Sequence, residues 1–110
     1  MKAVTVSEFH RVANLSDIPA GQVKVLEAGG RRLAVCNVDG EYFAVDDLCT
    51  HDGGPLGNGE LVDHQIECPR HGARFDIKTG KALCLPAILP IGTYKVELRG
   101  PEIWIAVPEQ

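Results

Sequence analysis

Apolar and polar residues alternate over several short stretches of the chain, and this period of two is typical of half-buried strands. Residues 22–28 alternate valine with polar neighbours, and residues 31–38 carry apolar side chains on both faces. An Asp-Gly pair at 39–40 favours a tight type I′ turn, which needs positive φ at both central residues, before a return strand over residues 41–45. The pattern predicts an antiparallel meander of three strands that ends at residues 46–48.

The remaining strand-like stretches are equally short, and turn residues separate them. They are residues 9–13, 60–62, 65–67, 72–75, 81–85, 94–99 and 102–107. Residues 63–64 and 100–101 are predicted to close hairpins, and residues 15–18 to form one turn before a reversal at 19–21. Because no segment shows helical periodicity and no repeat is present, the sequence predicts an all-β domain.

The order of these stretches predicts how a single domain over residues 1–110 is divided. Segments from both chain ends, about residues 1–45 and 83–110, are expected to form a basal sheet. A smaller subdomain, about residues 46–82, is expected to be inserted between them. Within it, five of the seven residues 53–59 are glycine or proline, and glycine lets the backbone approach a bound group closely. The inserted segment is therefore predicted to carry the functional loops.

Two cysteine–histidine pairs stand in this inserted segment. Cys49 and His51 form a Cys-x-His pair, Cys68 and His71 form a Cys-x-x-His pair, and residues 52–67 separate them. Thiolates and imidazoles suit both zinc and iron–sulfur centres, and two turns of this kind can bring four ligands to one point. The residues alone predict a metal site and leave both kinds of centre open.

The order of the pairs, with Gly72 after the second, resembles the signature of Rieske [2Fe-2S] proteins. The resemblance extends to the segments HGARFD and TGKALCLP that follow. It implies a Rieske-like antiparallel β-sandwich with a small inserted cluster-binding subdomain and one [2Fe-2S] cluster. In Rieske centres two thiolates bind one iron and two imidazoles bind the other. Cys49 and Cys68 would thus ligate the first iron, and His51 and His71 the second.

The chain departs from the high-potential members of that family, which carry an extra cysteine in each ligand loop and hydroxyl groups after the second histidine. The corresponding positions are Gly54, Arg70, Ala73 and Phe75, which can form no such disulfide and donate no such hydroxyl. The resemblance therefore implies a low-potential soluble ferredoxin. Such a protein is an electron-transfer component rather than an enzyme, and it carries electrons from a flavoprotein reductase to the terminal oxygenase of an aromatic hydrocarbon pathway.

Charge and composition limit the classes of partner that the protein could bind and the cellular compartment in which we expect it. The formal net charge is −4 and no basic cluster is present, which argues against nucleic-acid binding. Residues 1–10 lack the apolar segment of a signal peptide, and the longest apolar run, residues 82–91, contains two prolines and is too short to span a bilayer. We therefore expect a cytoplasmic protein without a membrane partner. We also expect a monomer, because a small carrier must dissociate quickly.

The other cysteines and histidines are predicted to have structural roles. All four cysteines are expected to be reduced or metal-bound, because no export signal points to an oxidising compartment. Cys36 and Cys84 fall in strand-like stretches and are predicted to be small buried hydrophobic residues, a second redox pair being their other possible use. His10 and His64 are predicted to be surface residues, since neither belongs to a recognisable second iron site.

The acidic and amide side chains near the pairs are predicted to form a solvated rim. They are Asp46, Asp47, Asp52, Asn58, Glu60 and Asp63. Such a rim could steer a basic partner toward the histidines, with an attraction that falls as salt rises. Neutralising Asp52 and Asp63 is then expected to alter electron-transfer rates.

Two other functions stay open beside the ferredoxin. One is the small subunit of an assimilatory nitrite reductase, which resembles this fold, although many such subunits lack the ligands. The other is a structural zinc module in which Cys49, His51, Cys68 and His71 close a tetrahedral site. Zinc would need no glycine-lined space for sulfides, so the glycine-rich segment favours the iron–sulfur interpretation.

Overall fold

The structure, a computed structural model, describes residues 7–108, which form eleven strands and one 3-10 turn over Leu15–Asp17. The strands are β1 (Ser7–Asn14), β2 (Val23–Ala28), β3 (Arg31–Val38), β4 (Glu41–Asp46), β5 (Glu60–Val62), β6 (Gln65–Glu67), β7 (Arg74–Asp76), β8 (Ala82–Cys84), β9 (Thr93–Tyr94), β10 (Val96–Arg99) and β11 (Glu102–Pro108). All the strand pairs of this part of the chain are antiparallel. The all-β prediction is confirmed.

Three sheets arrange these strands. The first has the order β1-β11-β10, the second β2-β3-β4-β9 and the third β5-β6-β7-β8. The first two share a core to which β11 contributes Ile103, Ile105 and Val107, while β3 contributes Leu33 and Val35. These residues alternate along their strands, so one face of each strand points into the sandwich.

A second core joins the other face of the meander to the third sheet. Ala34 and Cys36 of β3 pack in the same cluster as Ile66 and Phe75 of the third sheet and the buried Cys49 and Cys68. Strand β3, which carries apolar side chains on both faces, is therefore buried on both faces. Because Phe75 is fully buried, its removal from water alone stabilises this arrangement by about 1.5–3 kcal/mol. The packing fixes the third sheet against a rigid meander.

Two strand predictions need correction. The stretch 94–99 is not one strand, because the chain leaves the second sheet after Tyr94, which pairs with β4, and joins β11 of the first sheet from Val96. The stretch 72–75 begins its strand only at Arg74, because Gly72 has φ 75° and its N–H bonds back to the Cys68 carbonyl. No helix within residues 7–108 is long and apolar enough to cross a membrane.

Candidate metal centre

The first ligand loop follows β4 and turns back on itself around Cys49. The Cys49 N–H donates to the Gly54 carbonyl at 2.7 Å, and the Gly53 N–H donates to the Cys49 carbonyl at 2.7 Å. Gly53 has φ 75°, a left-handed conformation that favours glycine. This closure buries the cysteine and leaves His51, two residues later, exposed.

The second ligand loop, between β6 and β7, closes in the same way. The Cys68 N–H donates to the Ala73 carbonyl at 2.7 Å, and the Gly72 N–H donates to the Cys68 carbonyl at 3.0 Å. Gly72 also has φ 75°. Sequence reasoning missed this equivalence, although a glycine four residues after each cysteine was a signal for it.

The predicted cysteine ligands and the predicted histidine ligands differ in their exposure to solvent. Cys49 and Cys68 are each 1% exposed, and their sulfurs lie within 4.8 Å of one another and of an Asp52 carboxylate oxygen. The rings of His51 and His71 have centroids 5.1 Å apart at an interplanar angle of 58°. Two sulfurs therefore meet inside the protein and two imidazoles meet at its surface.

This donor set fits a [2Fe-2S] group with mixed ligands. Burial is the main cause that raises the pKa of the Cys49 thiol, and the nearby Cys68 sulfur raises it further. Two buried thiolates side by side need a compensating positive charge, which iron supplies. The separation of a sulfur pair from an imidazole pair matches two thiolates on one iron and two imidazoles on the other.

Arg70 and Asp52 join the two loops beside the ligands. The Arg70 Nε and Nη2 atoms donate to the two carboxylate oxygens of Asp52 at 2.6 and 3.0 Å, and Nη1 donates to the Pro55 carbonyl at 2.8 Å. The Arg70 guanidinium holds the pKa of the Asp52 carboxyl well below its usual range. Asp52 is therefore ionised at neutral pH and its charge is balanced locally, which weakens its predicted role in steering a partner.

Asp47 is buried, so its assignment to a solvated rim is wrong. One of its carboxylate oxygens accepts the N–H groups of Leu56 and Gly57 at 2.8 and 2.7 Å. The other accepts from Arg32, with Nη2 at 3.3 Å. Asp47 thus anchors the glycine-rich segment after the first ligand loop to the meander.

The remaining residues of the predicted rim divide into two groups. Asp46 is half buried and accepts the Tyr94 hydroxyl and the Gly92 N–H, so it is also not a free rim residue. Asn58, Glu60 and Asp63 are exposed as predicted; they are on the segment between the two ligand loops. Asp63 lines a surface depression with Gly21 and Asp39 among others, and no predicted ligand lines it.

The two spare cysteines have different surroundings. Cys36 is fully buried, as predicted, and burial raises the pKa of its thiol to about 12. Cys84 is exposed, so its predicted burial is wrong; it lies on β8, one of the two edge strands of the third sheet. Within residues 7–108 all four cysteines are free of disulfides.

The spare histidines are only partly exposed rather than free surface residues. His64 packs its ring edge-on against Phe43, with centroids 5.5 Å apart, and its buried Nε2 atom has no hydrogen-bond partner. His10 lies on β1, in the sheet that does not contain the ligand loops. Neither joins the cysteine–histidine pairs.

An exposed apolar loop borders the imidazoles, and sequence reasoning did not assign it a role. Residues 85–90, here called the apolar loop, expose Leu85, Ile88 and Leu89 by 78%, 79% and 63%. The Thr50 hydroxyl donates to the Leu89 carbonyl at 2.6 Å and ties this loop to the first ligand loop. His51 and Ile88 share the lining of a depression of about 320 Å³.

Comparison with known proteins assigns the family. The Rieske [2Fe-2S] domain profile matches residues 8–95. The ferredoxin component of the naphthalene 1,2-dioxygenase/salicylate 5-hydroxylase systems of Ralstonia sp is 42% identical over 93 residues, covering 84% of this chain and 89% of that protein. A solved protein described as the small subunit of an NADPH nitrite reductase has a TM-score of 0.80 at 17% identity, covering 89% of this chain and 97% of that chain. Likeness at this identity shows the fold alone, so the nitrite reductase subunit is the weaker alternative.

Solved ferredoxins agree with this result. The carbazole 1,9a-dioxygenase ferredoxin of Nocardioides aromaticivorans has a TM-score of 0.85 at 32% identity, covering 88% of this chain and 95% of that chain. A structure described as a complex of reduced oxygenase and oxidised ferredoxin in carbazole 1,9a-dioxygenase matches with a TM-score of 0.85 and 32% identity, over 93% of this chain and 95% of that chain. The family match replaces the zinc module with an iron–sulfur centre. This chain belongs to the Rieske [2Fe-2S] domain family and is an electron-carrying ferredoxin with one [2Fe-2S] cluster.

Proposed function

We propose that this ferredoxin passes single electrons from a flavoprotein reductase to the terminal oxygenase of an aromatic ring-hydroxylating system, in the cytoplasm and as a monomer. The ligands are Cys49 and Cys68 for one iron, and His51 and His71 for the other. The single observation that carries the proposal is the pairing of two buried sulfurs with two exposed imidazoles. The inserted segment 46–82 bears all four ligands.

The site has a buried side that would exclude water from the cluster and an exposed side through which an electron could leave. When bound, the [2Fe-2S] cluster accepts and releases one electron. Cys49 and Cys68 would hold it on the buried side, where they pack with Leu56, Ile66 and Phe75 of the second core. His51 and His71 reach the surface, so a partner can approach their rings without opening the fold. Their exposure would let an electron leave without a conformational change of this chain.

The residues around the ligands support a low potential. Ala73 and Phe75 are fully buried and have no hydroxyl, so neither side chain can donate a hydrogen bond that would stabilise the reduced form. Hydrogen bonds and charge near the sulfurs are among the factors that set the potential of such clusters. This environment would therefore give the cluster a low potential.

The partner's docking site is proposed to be the apolar loop together with the two imidazoles. Exposed apolar side chains grouped beside a functional site are typical of a contact surface. Leu85, Ile88 and Leu89 would exclude water around His51 when a partner binds, which would bring the two redox groups close together. The oxygenase is the partner that the solved carbazole dioxygenase complex suggests, since that complex joins a similar ferredoxin to its oxygenase.

Charge placed in the apolar loop tests the proposal. Ile88→Asp should weaken docking and lower the rate of electron transfer by about tenfold, because a carboxylate loses its hydration in the contact. The assay couples NADH to naphthalene oxidation, with reductase and oxygenase taken from a homologous naphthalene dioxygenase system. Leu98→Asp is the matched control, because Leu98 is 47% exposed on β10 of the first sheet.

Wild-type protein that supports no naphthalene oxidation with such partners, although it carries a reducible cluster, would contradict the oxygenase role. Equal rates for Ile88→Asp and wild type would contradict the docking site alone. The ligand assignment is separate from both outcomes and is tested by cluster content.

A further inference from the structure

Arg70 crosses from the second ligand loop to the first. Its guanidinium donates to three oxygen atoms of the first loop, two on Asp52 and one on Pro55, at 2.6–3.0 Å. A planar guanidinium that binds both oxygens of a carboxylate gives a stronger and more directional contact than one donor does. The third bond goes to a backbone carbonyl, so the contact fixes the path of the loop as well as one side chain.

Gly54 leaves the space that the guanidinium occupies. A Cβ atom on Gly54 would lie 2.7 Å from Arg70 Cζ and Nη2 and 2.9 Å from Nε. Real Cβ contacts are not this short, so any larger residue would push the guanidinium away from Asp52 and Pro55. The φ of Gly54 lies outside the left-handed region, so glycine is needed here only because it has no side chain.

The contact controls where the Asp52 carboxylate points. One carboxylate oxygen lies within 4.8 Å of both ligand sulfurs, and Asp52 Oδ2 is 3.6 Å from the His71 Nδ1 atom. The carboxylate is thus close enough to compete with the ligands for iron. Two Arg70 donors, one to each carboxylate oxygen, and the Gly54 N–H at 2.9 Å hold it.

We propose that Arg70 is a positioning residue that ties the two ligand loops together and keeps Asp52 away from the iron. The contact joins the two loops through three hydrogen bonds and no covalent bond. The inference rests on the proposed ligand assignment. Its action is on the geometry and lifetime of the centre, and Arg70 itself ligates nothing.

Variants of the holoprotein separate the geometry of this contact from its charge. Arg70→Gln removes the charge and the two-pronged contact, whereas Arg70→Lys keeps the charge but cannot reach all three acceptors. Both should lose visible absorbance of the cluster in air about tenfold faster than wild type, and both should show altered g values in the EPR spectrum of the reduced protein. Arg11→Gln is the matched control, because Arg11 forms a comparable 2.7 Å pair with Glu102 on the first sheet.

Gly54→Ala tests the same contact from the other loop. Alone it should displace the guanidinium and accelerate cluster loss to the rate of Arg70→Gln. In the Arg70→Gln background it should add no further loss, because the group with which it collides is gone. Such non-additivity is expected of residues in direct contact, and it separates lost contact from general destabilisation.

Wild-type loss rates and EPR spectra for Arg70→Gln would overturn the inference, as would additive effects of Gly54→Ala and Arg70→Gln. If Arg70→Lys behaves like wild type while Arg70→Gln is impaired, the effect is due to charge, and this result would also overturn the inference. Should Arg70→Gln yield no holoprotein, the comparison of Gly54→Ala with Arg70→Lys and their double variant decides. A wild-type protein without a Rieske signal would instead refute the ligand assignment on which the inference rests.

Discussion

The two ligand loops share one backbone closure and differ in what holds them in place. In each loop the cysteine N–H reaches the carbonyl five residues on, and a glycine N–H returns to the cysteine carbonyl. The second loop joins two paired strands, β6 and β7, whereas the first leads into a glycine-rich segment without strand partners until residue 60. The first loop therefore depends on side chains, Asp47 and Arg70, for the support that the second obtains from its sheet.

With His51 and His71 as the proposed ligands, the shared closure predicts that the two histidines are equally necessary. His51→Ala and His71→Ala should each abolish assembly of a stable cluster, because a mixed ligand set cannot spare one imidazole. Iron and acid-labile sulfide content of the purified proteins measures this effect. His10→Ala, which removes a half-exposed imidazole from β1, is the control. Full iron and sulfide content in either ligand variant would break the equivalence and the assignment.

The unequal support predicts that Asp47→Ala damages the first loop specifically. It leaves the Leu56 and Gly57 N–H groups without a buried acceptor, which should cost about 2–4 kcal/mol of unfolding free energy. Denaturant unfolding of the holoprotein measures the loss. Asp76→Ala is the matched control, because Asp76 accepts the Lys78 and Thr79 N–H groups in an exposed turn where water can replace it. Equal losses in the two variants would show that the first loop does not depend on Asp47.

The smallest expected effect is that of alanine at the two equivalent glycines of the loops. Gly53 and Gly72 both have φ 75° and open space where a Cβ atom would lie. Alanine at either position should therefore meet only the backbone strain of the left-handed conformation, about 1–2 kcal/mol. Denaturant unfolding should give the same cost for both within error. A large difference would mean that the two closures are alike in hydrogen bonding but not in strain.

The sequence predicted the strands that local patterns determine. Strands β3, β5 and β6 have their predicted bounds, and the Asp-Gly turn has the positive φ values expected, 52° at Asp39 and 89° at Gly40. Alternation and turn residues act over a few positions, so a short window of sequence contains them. The same is true of the spacing of the cysteine–histidine pairs.

Features that depend on distant partners were missed. Asp47 was expected to be exposed to solvent because an aspartate near a loop usually is. Its carboxylate instead accepts N–H groups that lie nine and ten residues later in the chain. Cys84 was expected inside because alternation does not reveal that β8 is an edge strand. The reach of Arg70 across to Asp52 depends on how the two loops face one another, which no local pattern records.

The most direct test of the central claim is the low-temperature EPR spectrum of anaerobically purified, dithionite-reduced protein, with iron and acid-labile sulfide measured on the same sample. Ligation by two cysteines and two histidines predicts two irons and two sulfides per chain, and a rhombic signal whose average g value lies below that of all-cysteine clusters. A colourless, EPR-silent protein that contains zinc, even after attempted cluster reconstitution, would contradict it.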